Sequence, residues 1–93
     1  MGMSTRADQL GGSETVLSDE EYRERLVELP PSAKLVAKVL ETDSPLSQGQ
    51  LAEESLLPDR TVRYALNRLE ESGIVDSRYS FRDARKQVHF LRR

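Results

Sequence analysis

Arg60, Thr61, Arg63, Tyr64, Asn67 and Arg68 crowd into one short stretch of the 93-residue chain. Their guanidinium, hydroxyl and amide groups are the types that hydrogen-bond to phosphate oxygens and to base edges in a DNA groove. Interleaved with them, Val62, Ala65, Leu66 and Leu69 recur at i, i+3, i+4 and i+7, the spacing of one buried helical stripe. A helix over 58–72 therefore turns the polar set outward as a single face. On periodicity alone such a face is equally a solvated one, and Tyr64 is equally a partly buried packing residue. Two further sets carry related chemistry. Arg82-Asp83-Ala84-Arg85-Lys86 places three cations in five residues, with Asp83 available for a turn-stabilising ion pair worth at most about 1 kcal/mol at a surface. Ser47 and Gln48 open another helix, where backbone N–H groups attract phosphate.

The elements that must position these groups are legible from caps and breakers. Residues 1–16 contain Gly11-Gly12, small polar residues and the isolated Leu10, and read as a disordered lead-in. Order is expected over 17–93. Ser18 with Glu21 makes a capping box, Leu17 with Tyr22 a hydrophobic staple, and Asp19, Glu20 and Glu21 suit the helix dipole. This first helix, over about 18–29, places Tyr22, Leu26 and Leu29 on one side and stops at Pro30-Pro31. Its narrow apolar stripe either packs on its own domain or forms a dimer contact. A second helix over about 31–42 starts with Pro31 in its first turn and presents Leu35, Val36, Val39 and Leu40 as its buried face. Pro45-Leu46 offers one or two residues to a sheet edge. Ser47 with Gln50 repeats the capping box, Leu46 with Leu51 the staple, and a third helix runs over about 48–54 with Leu51 and Ala52 inward. After the turn Ser55-Leu56-Leu57, Pro58 opens the Arg-bearing helix, which ends at Gly73 in the left-handed position that glycine fills without a Cβ penalty. Residues 74–81 and 87–91 read as two strands of a hairpin. His89 and Leu91 are assigned to its core face and Phe90 to its outer face, within reach of the first helix.

Composition narrows the functions. The chain is long enough for one domain with a modest core. It has no cysteine and a single histidine, His89, so neither a thiolate metal site nor a histidine dyad is expected. No residue pair makes a plausible nucleophile and base, and neither an enzyme nor a cofactor is expected. No apolar run approaches the roughly 20 residues of a membrane span, and the N-terminus lacks the apolar segment of a secretory signal, so the expected location is cytoplasmic. The net charge of -2 opposes nucleic-acid binding only as a sum. Residues 1–30 hold seven acids against three bases, whereas residues 74–93 hold six bases against Asp76 and Asp83. DNA responds to the local field within about 8 Å at physiological salt.

The order helix, helix, helix, hairpin, with basic residues at the hairpin tip, resembles the winged helix-turn-helix domains of MarR-like transcription regulators, particularly short archaeal members. The resemblance spans residues 32–91, about two thirds of the chain, and rests on PLSQGQLAEESLLPDRTVRYALNRLEESGIV and RDARKQVHFL. It implies a mainly α fold with a small β-hairpin (α+β): a three-helix core plus a wing, with an extra N-terminal helix. It further implies that helix 58–72 enters the major groove. Arg60, Thr61, Arg63 and Tyr64 would then meet base edges, and Asn67 and Arg68 the backbone. Arg82, Arg85 or Lys86 on the wing would approach the flanking minor groove or phosphates, with Ser47 and Gln48 on phosphates beside them.

Three features depart from the family pattern. Leu56 stands where many such turns have glycine and is expected to resist positive φ. The long helices that build the dimer and ligand pocket of full-length MarR proteins are missing, so no small-molecule effector is implied. Asp59, Glu70 and Glu71 temper the positive face. The resulting expectation is a sequence-specific double-stranded DNA-binding transcription regulator acting as a homodimer. The alternative is a winged helix used as a protein-interaction module of transcription or replication machinery, which the acidic N-terminal third suits.

Overall fold

A computed structural model describes residues 16–93. The expected disordered lead-in, but for Val16, lies outside the described residues. Four helices and three short strands follow in the order α1 (Asp19–Val27), α2 (Pro31–Thr42), β1 (Leu46–Ser47), α3 (Gln48–Ser55), α4 (Asp59–Glu71), β2 (Val75–Tyr79) and β3 (Gln87–Leu91). The strands form one antiparallel sheet in the order β1-β3-β2, so the two residues of β1 extend the hairpin at its β3 edge. None of the described helices is long and apolar enough to cross a membrane.

Both capping boxes form. Ser18 accepts from the Glu21 N–H while the Glu21 carboxylate accepts from the Ser18 N–H, and Ser47 and Gln50 repeat the pattern at α3. Reciprocal satisfaction of the first-turn donors is what lets α1, of nine residues, and α3, of eight, start where they do. Their apolar residues close one core. Leu17, Tyr22, Leu26 and Leu29 from the α1 region join Val36, Leu40, Leu51, Val62, Leu69 and Ile74, all buried. The α1 stripe is thus spent within its own domain. Arg25 reaches from α1 to donate to the Ser72 carbonyl at 2.9 Å, and the Leu17 N–H donates to the Arg92 carbonyl at 2.6 Å.

The α2 face is rotated from the expected one. Ala33, Val36, Ala37 and Leu40 are buried, Leu35 is exposed and Val39 only partly covered. The packing instead uses two alanines, whose small side chains let α4 approach closely. Glu41, near the end of α2, accepts a hydrogen bond from the Tyr22 hydroxyl at 2.5 Å, and Arg93 stacks over the Tyr22 ring.

The turn between α3 and α4 overturns a second expectation. Leu56 does adopt the left-handed conformation, with φ 63°, and donates its N–H to the Ala52 carbonyl. Leu57 behind it packs on the core while the Leu56 side chain is 89% exposed. The chain must reverse here within three residues, and burying Leu57 fixes the geometry that forces Leu56 left-handed. Pro58 is the N-cap of α4 with extended backbone, not its first helical residue. At the other end Gly73, φ 74°, completes a Schellman motif: its N–H bonds to the Glu70 carbonyl, and the Ile74 N–H to the Leu69 carbonyl.

Candidate nucleic-acid interface

The outward face of α4 is a stripe. Arg60, Arg63, Tyr64 and Asn67 are all exposed, one above another at i, i+3, i+4 and i+7. Val62, Ala65, Leu66 and Leu69 behind them are buried. A helix of 13 residues is about 20 Å long, so this stripe is a rigid ridge. Its base is fixed from both sides. The Gln48 side-chain amide donates to the Asp59 carbonyl at 3.4 Å, joining α3 to the first turn of α4, and Arg25 engages the Ser72 carbonyl at the other end.

The remaining α4 candidates are placed differently. Thr61 is half-buried at the edge of the stripe. Arg68 is partly covered, donates to the Tyr64 hydroxyl at 3.0 Å and lies 3.8 Å from Glu71. Since the Tyr64 oxygen accepts from Arg68, its own O–H proton is directed elsewhere, which leaves Tyr64 a donor. Arg68 therefore braces the stripe and does not extend it.

Of the acids that temper this face, Glu70 is turned towards the sheet, whereas Glu71 stands on the stripe at i+4 from Asn67. Glu71 is engaged with Arg68, and Glu70 approaches His89 Nδ1 at 3.9 Å. Both lie at the C-terminal end, about 15 Å along the axis from Arg60. Asp59 remains in the first turn. Burial of Glu70, with Asp76 nearby, raises its carboxyl above the ordinary value, and burial lowers the His89 imidazole below its own. His89 and Leu91 face the core as expected, with His89 Nδ1 buried and lacking a hydrogen-bond partner.

The basic loop joins β2 to β3 as a tight, bonded turn. The Ser80 N–H donates to the Lys86 carbonyl, the Lys86 N–H to the Asp83 carbonyl, and the Arg85 N–H to the Asp83 carboxylate. Arg82, Arg85 and Lys86 are exposed on it, with Arg85 Nε 3.3 Å from Asp83. An open cleft of about 480 Å³ separates this loop from the N-terminus of α3, lined by Ser47, Gln48, Gly49, Arg85, Lys86 and His89 among others. Ser47 itself is buried, and its own N–H, the group expected to meet phosphate, donates to the Gln50 side-chain oxygen at 2.9 Å. Its candidate role thus passes to the peptide N–H groups of Gln48 and Gly49, which the first helical turn leaves without intrahelical partners. Gly49, which the sequence reading did not single out, has open space where a Cβ would stand. Among the described residues no cluster of His, Cys, Asp or Glu could hold a metal ion.

Sequence and fold comparisons agree with this geometry. Residues 38–76 match the family model described as winged helix-turn-helix DNA-binding, a span that takes in the end of α2, all of β1, α3 and α4, and the start of β2. No curated protein matches the chain. Among solved structures, the PcaV transcriptional regulator of Streptomyces coelicolor, in complex with its natural ligand, superposes with a TM-score of 0.65 at 23% identity, over 69% of this chain and 45% of that one. A MarR family transcription regulator superposes with a TM-score of 0.66 at 12% identity, over 78% of this chain and 47% of that one. The MepR protein of S. aureus, solved as a DNA complex, gives 0.65 at 17% identity, over 77% and 61%. The chain thus has the winged helix-turn-helix fold found in MarR-family regulators, and it spans about half the length of the regulators it matches.

Proposed function

We propose that this winged helix-turn-helix domain is a sequence-specific, double-stranded DNA-binding transcription regulator that acts as a homodimer on a two-half-site operator. One observation carries the reading: the exposed Arg60–Arg63–Tyr64–Asn67 stripe stands on a rigid, fully packed helix, with a basic hairpin loop in the same small domain. Arg60, Arg63 and Tyr64, with Thr61 at their edge, discriminate bases in the major groove. Asn67 meets backbone farther along, and Arg68 acts through Tyr64. Arg82, Arg85 and Lys86, with the Gln48 and Gly49 peptide N–H groups, hold phosphates and fix register. The α1 apolar stripe being buried, a second copy has Val16 and Val27, 66% and 67% exposed, to cover on that side.

A salt titration of duplex binding, followed by selection from random duplex DNA, tests the reading. Arg63→Ala is expected to relax specificity, a bidentate Arg–guanine pair being worth about 1–3 kcal/mol. Arg85→Ala is expected to weaken all sequences alike and to lower the salt slope by about 1. Equal losses on selected and random DNA for both variants would refute the division of roles. No duplex retention even at low ionic strength would favour the interaction-module alternative.

A further inference from the structure

Phe81 is 96% exposed, the most exposed of the large hydrophobic residues in the described chain. It stands where β2 gives way to the basic loop, immediately before Arg82. The ring has a cation beside it. The Arg78 guanidinium lies over it at 5.3 Å from the centroid, and over the Phe90 ring at 5.9 Å, so one cation clasps both aromatics on the outer face of the hairpin. Just beyond, the Arg82 N–H donates to the Ser80 hydroxyl at 3.1 Å and the Ser80 N–H to the Lys86 carbonyl at 2.8 Å. The Phe81 backbone is thus set between bonded residues at the start of the turn, while its ring stands out into solvent beside Arg78. Four cations (Arg78, Arg82, Arg85 and Lys86) share that turn and its approach with a single acid, Asp83.

We propose that Phe81 is an apolar DNA contact of the wing, seated against the deoxyribose wall or a base step of the minor groove while the neighbouring cations hold the flanking phosphates. The proposal rests on the DNA-binding reading and adds to it a contact that carries no charge. The occupant follows from complementarity. The surroundings are too cationic for an apolar protein surface, whereas a duplex offers phosphates alongside apolar sugar edges, and apolar wedges such as Phe serve minor-groove binders in this way.

The test is affinity for labelled random-sequence duplex DNA across a salt series, with the mass of the protein in solution measured in parallel. Since the side chain is exposed, Phe81→Ala leaves the fold intact. It is expected to lose about tenfold in affinity, the size of roughly half of a buried Phe side chain, with an unchanged salt slope. Phe81→Leu, which keeps an apolar wedge, is expected to retain most of the affinity, and Arg82→Ala is expected to lower the slope by about 1. Distamycin, a minor-groove ligand, is expected to erase the difference between wild type and Phe81→Ala. If wild type binds duplex and Phe81→Ala binds equally, this proposal fails and the DNA-binding reading stands. If wild type binds no duplex at low salt, both fail. A loss of affinity accompanied by a fall in the protein's mass assigns the ring to a contact between copies and overturns the proposal.

Discussion

The Arg25 guanidinium donates to the Ser72 carbonyl at 2.9 Å, linking the first helix to the C-terminus of α4 across 47 residues of sequence. The bond places a cation where the α4 dipole is negative. It also crowds Gly73, whose absent Cβ would stand 2.7 Å from Arg25 Nη1.

Arg25→Ala is therefore expected to lower stability by about 1 kcal/mol, from a lost charge-assisted bond at a helix end. Gly73→Ala is expected to cost about 2 kcal/mol, since it forces a Cβ into left-handed backbone and displaces Arg25. In the Arg25→Ala background the second change is expected to cost less, because only the backbone term remains. Denaturant unfolding of the four proteins measures the coupling, and strict additivity would show that the two residues do not act on each other.

Leu56 holds a left-handed conformation, φ 63°, with an 89% exposed side chain that packs on nothing. Glycine relieves a strain of about 1–2 kcal/mol at such a position and returns part of it as lost unfolded-state entropy. Leu56→Gly is expected to raise stability by about 1 kcal/mol, seen as a rise of about 5 °C in the thermal midpoint. A lower midpoint would show that the leucine contributes something beyond its backbone.

That turn also marks the limit of what sequence reading reached. Val62, Ala65, Leu66 and Leu69 were legible because one helix with one buried side leaves a period, and Ser18 and Ser47 because a capping box is a local exchange of hydrogen bonds. Leu56 was misread because its conformation is imposed from outside, by the need to bury Leu57 and start α4 at once. The α2 face was misread for a related reason: Ala33 and Ala37 are chosen by the closeness of α4, which no property of α2 alone records. In the candidate site, exposure of Arg60, Arg63 and Asn67 followed from the period. The bracing of Tyr64 by Arg68, the burial of Ser47 and the clasped Phe81 depend on side-chain directions that spacing does not carry.

Acidification is expected to weaken the fold through His89. Burial lowers its folded-state pKa below the ordinary imidazole value of about 6.5, so the unfolded chain binds a proton that the folded chain refuses. Stability from this residue is present above pH 6.5 and is lost as pH falls from there towards the folded value. Glu70, 3.9 Å from Nδ1, opposes it: its folded pKa is raised from 4.5, so its contribution is present below that pH and is lost as pH rises through the folded value. His89→Leu is expected to flatten the stability profile just below pH 6.5 and Glu70→Gln just above pH 4.5. Unfolding curves across this range, unchanged in slope by His89→Leu, would refute the assignment.

Asp83 sets two effects against each other. Its carboxylate accepts from the Arg85 N–H at 3.0 Å and from Arg85 Nε at 3.3 Å, shaping the loop, yet its charge repels phosphate. Asp83→Asn keeps an oxygen acceptor and removes the charge, and is expected to tighten duplex binding severalfold at low salt, about 1 kcal/mol for one surface charge. Asp83→Ala also removes the charge but frees the turn, and is expected to bind more weakly than Asp83→Asn. Affinities of the two variants on one duplex decide, and equality would mean that the turn needs no acceptor.

The bond from the Leu17 N–H to the Arg92 carbonyl, with the 2.8 Å ion pair between Arg93 and Asp19, makes the described chain nearly a closed ring. Its two ends leave the domain at one point on its surface. Fusing them with a short linker and reopening the ring elsewhere, for instance between Asp43 and Ser44, would move that exit without disturbing α4. The domain is in this sense a plug-in cassette: whatever is joined at either end hangs from the same corner.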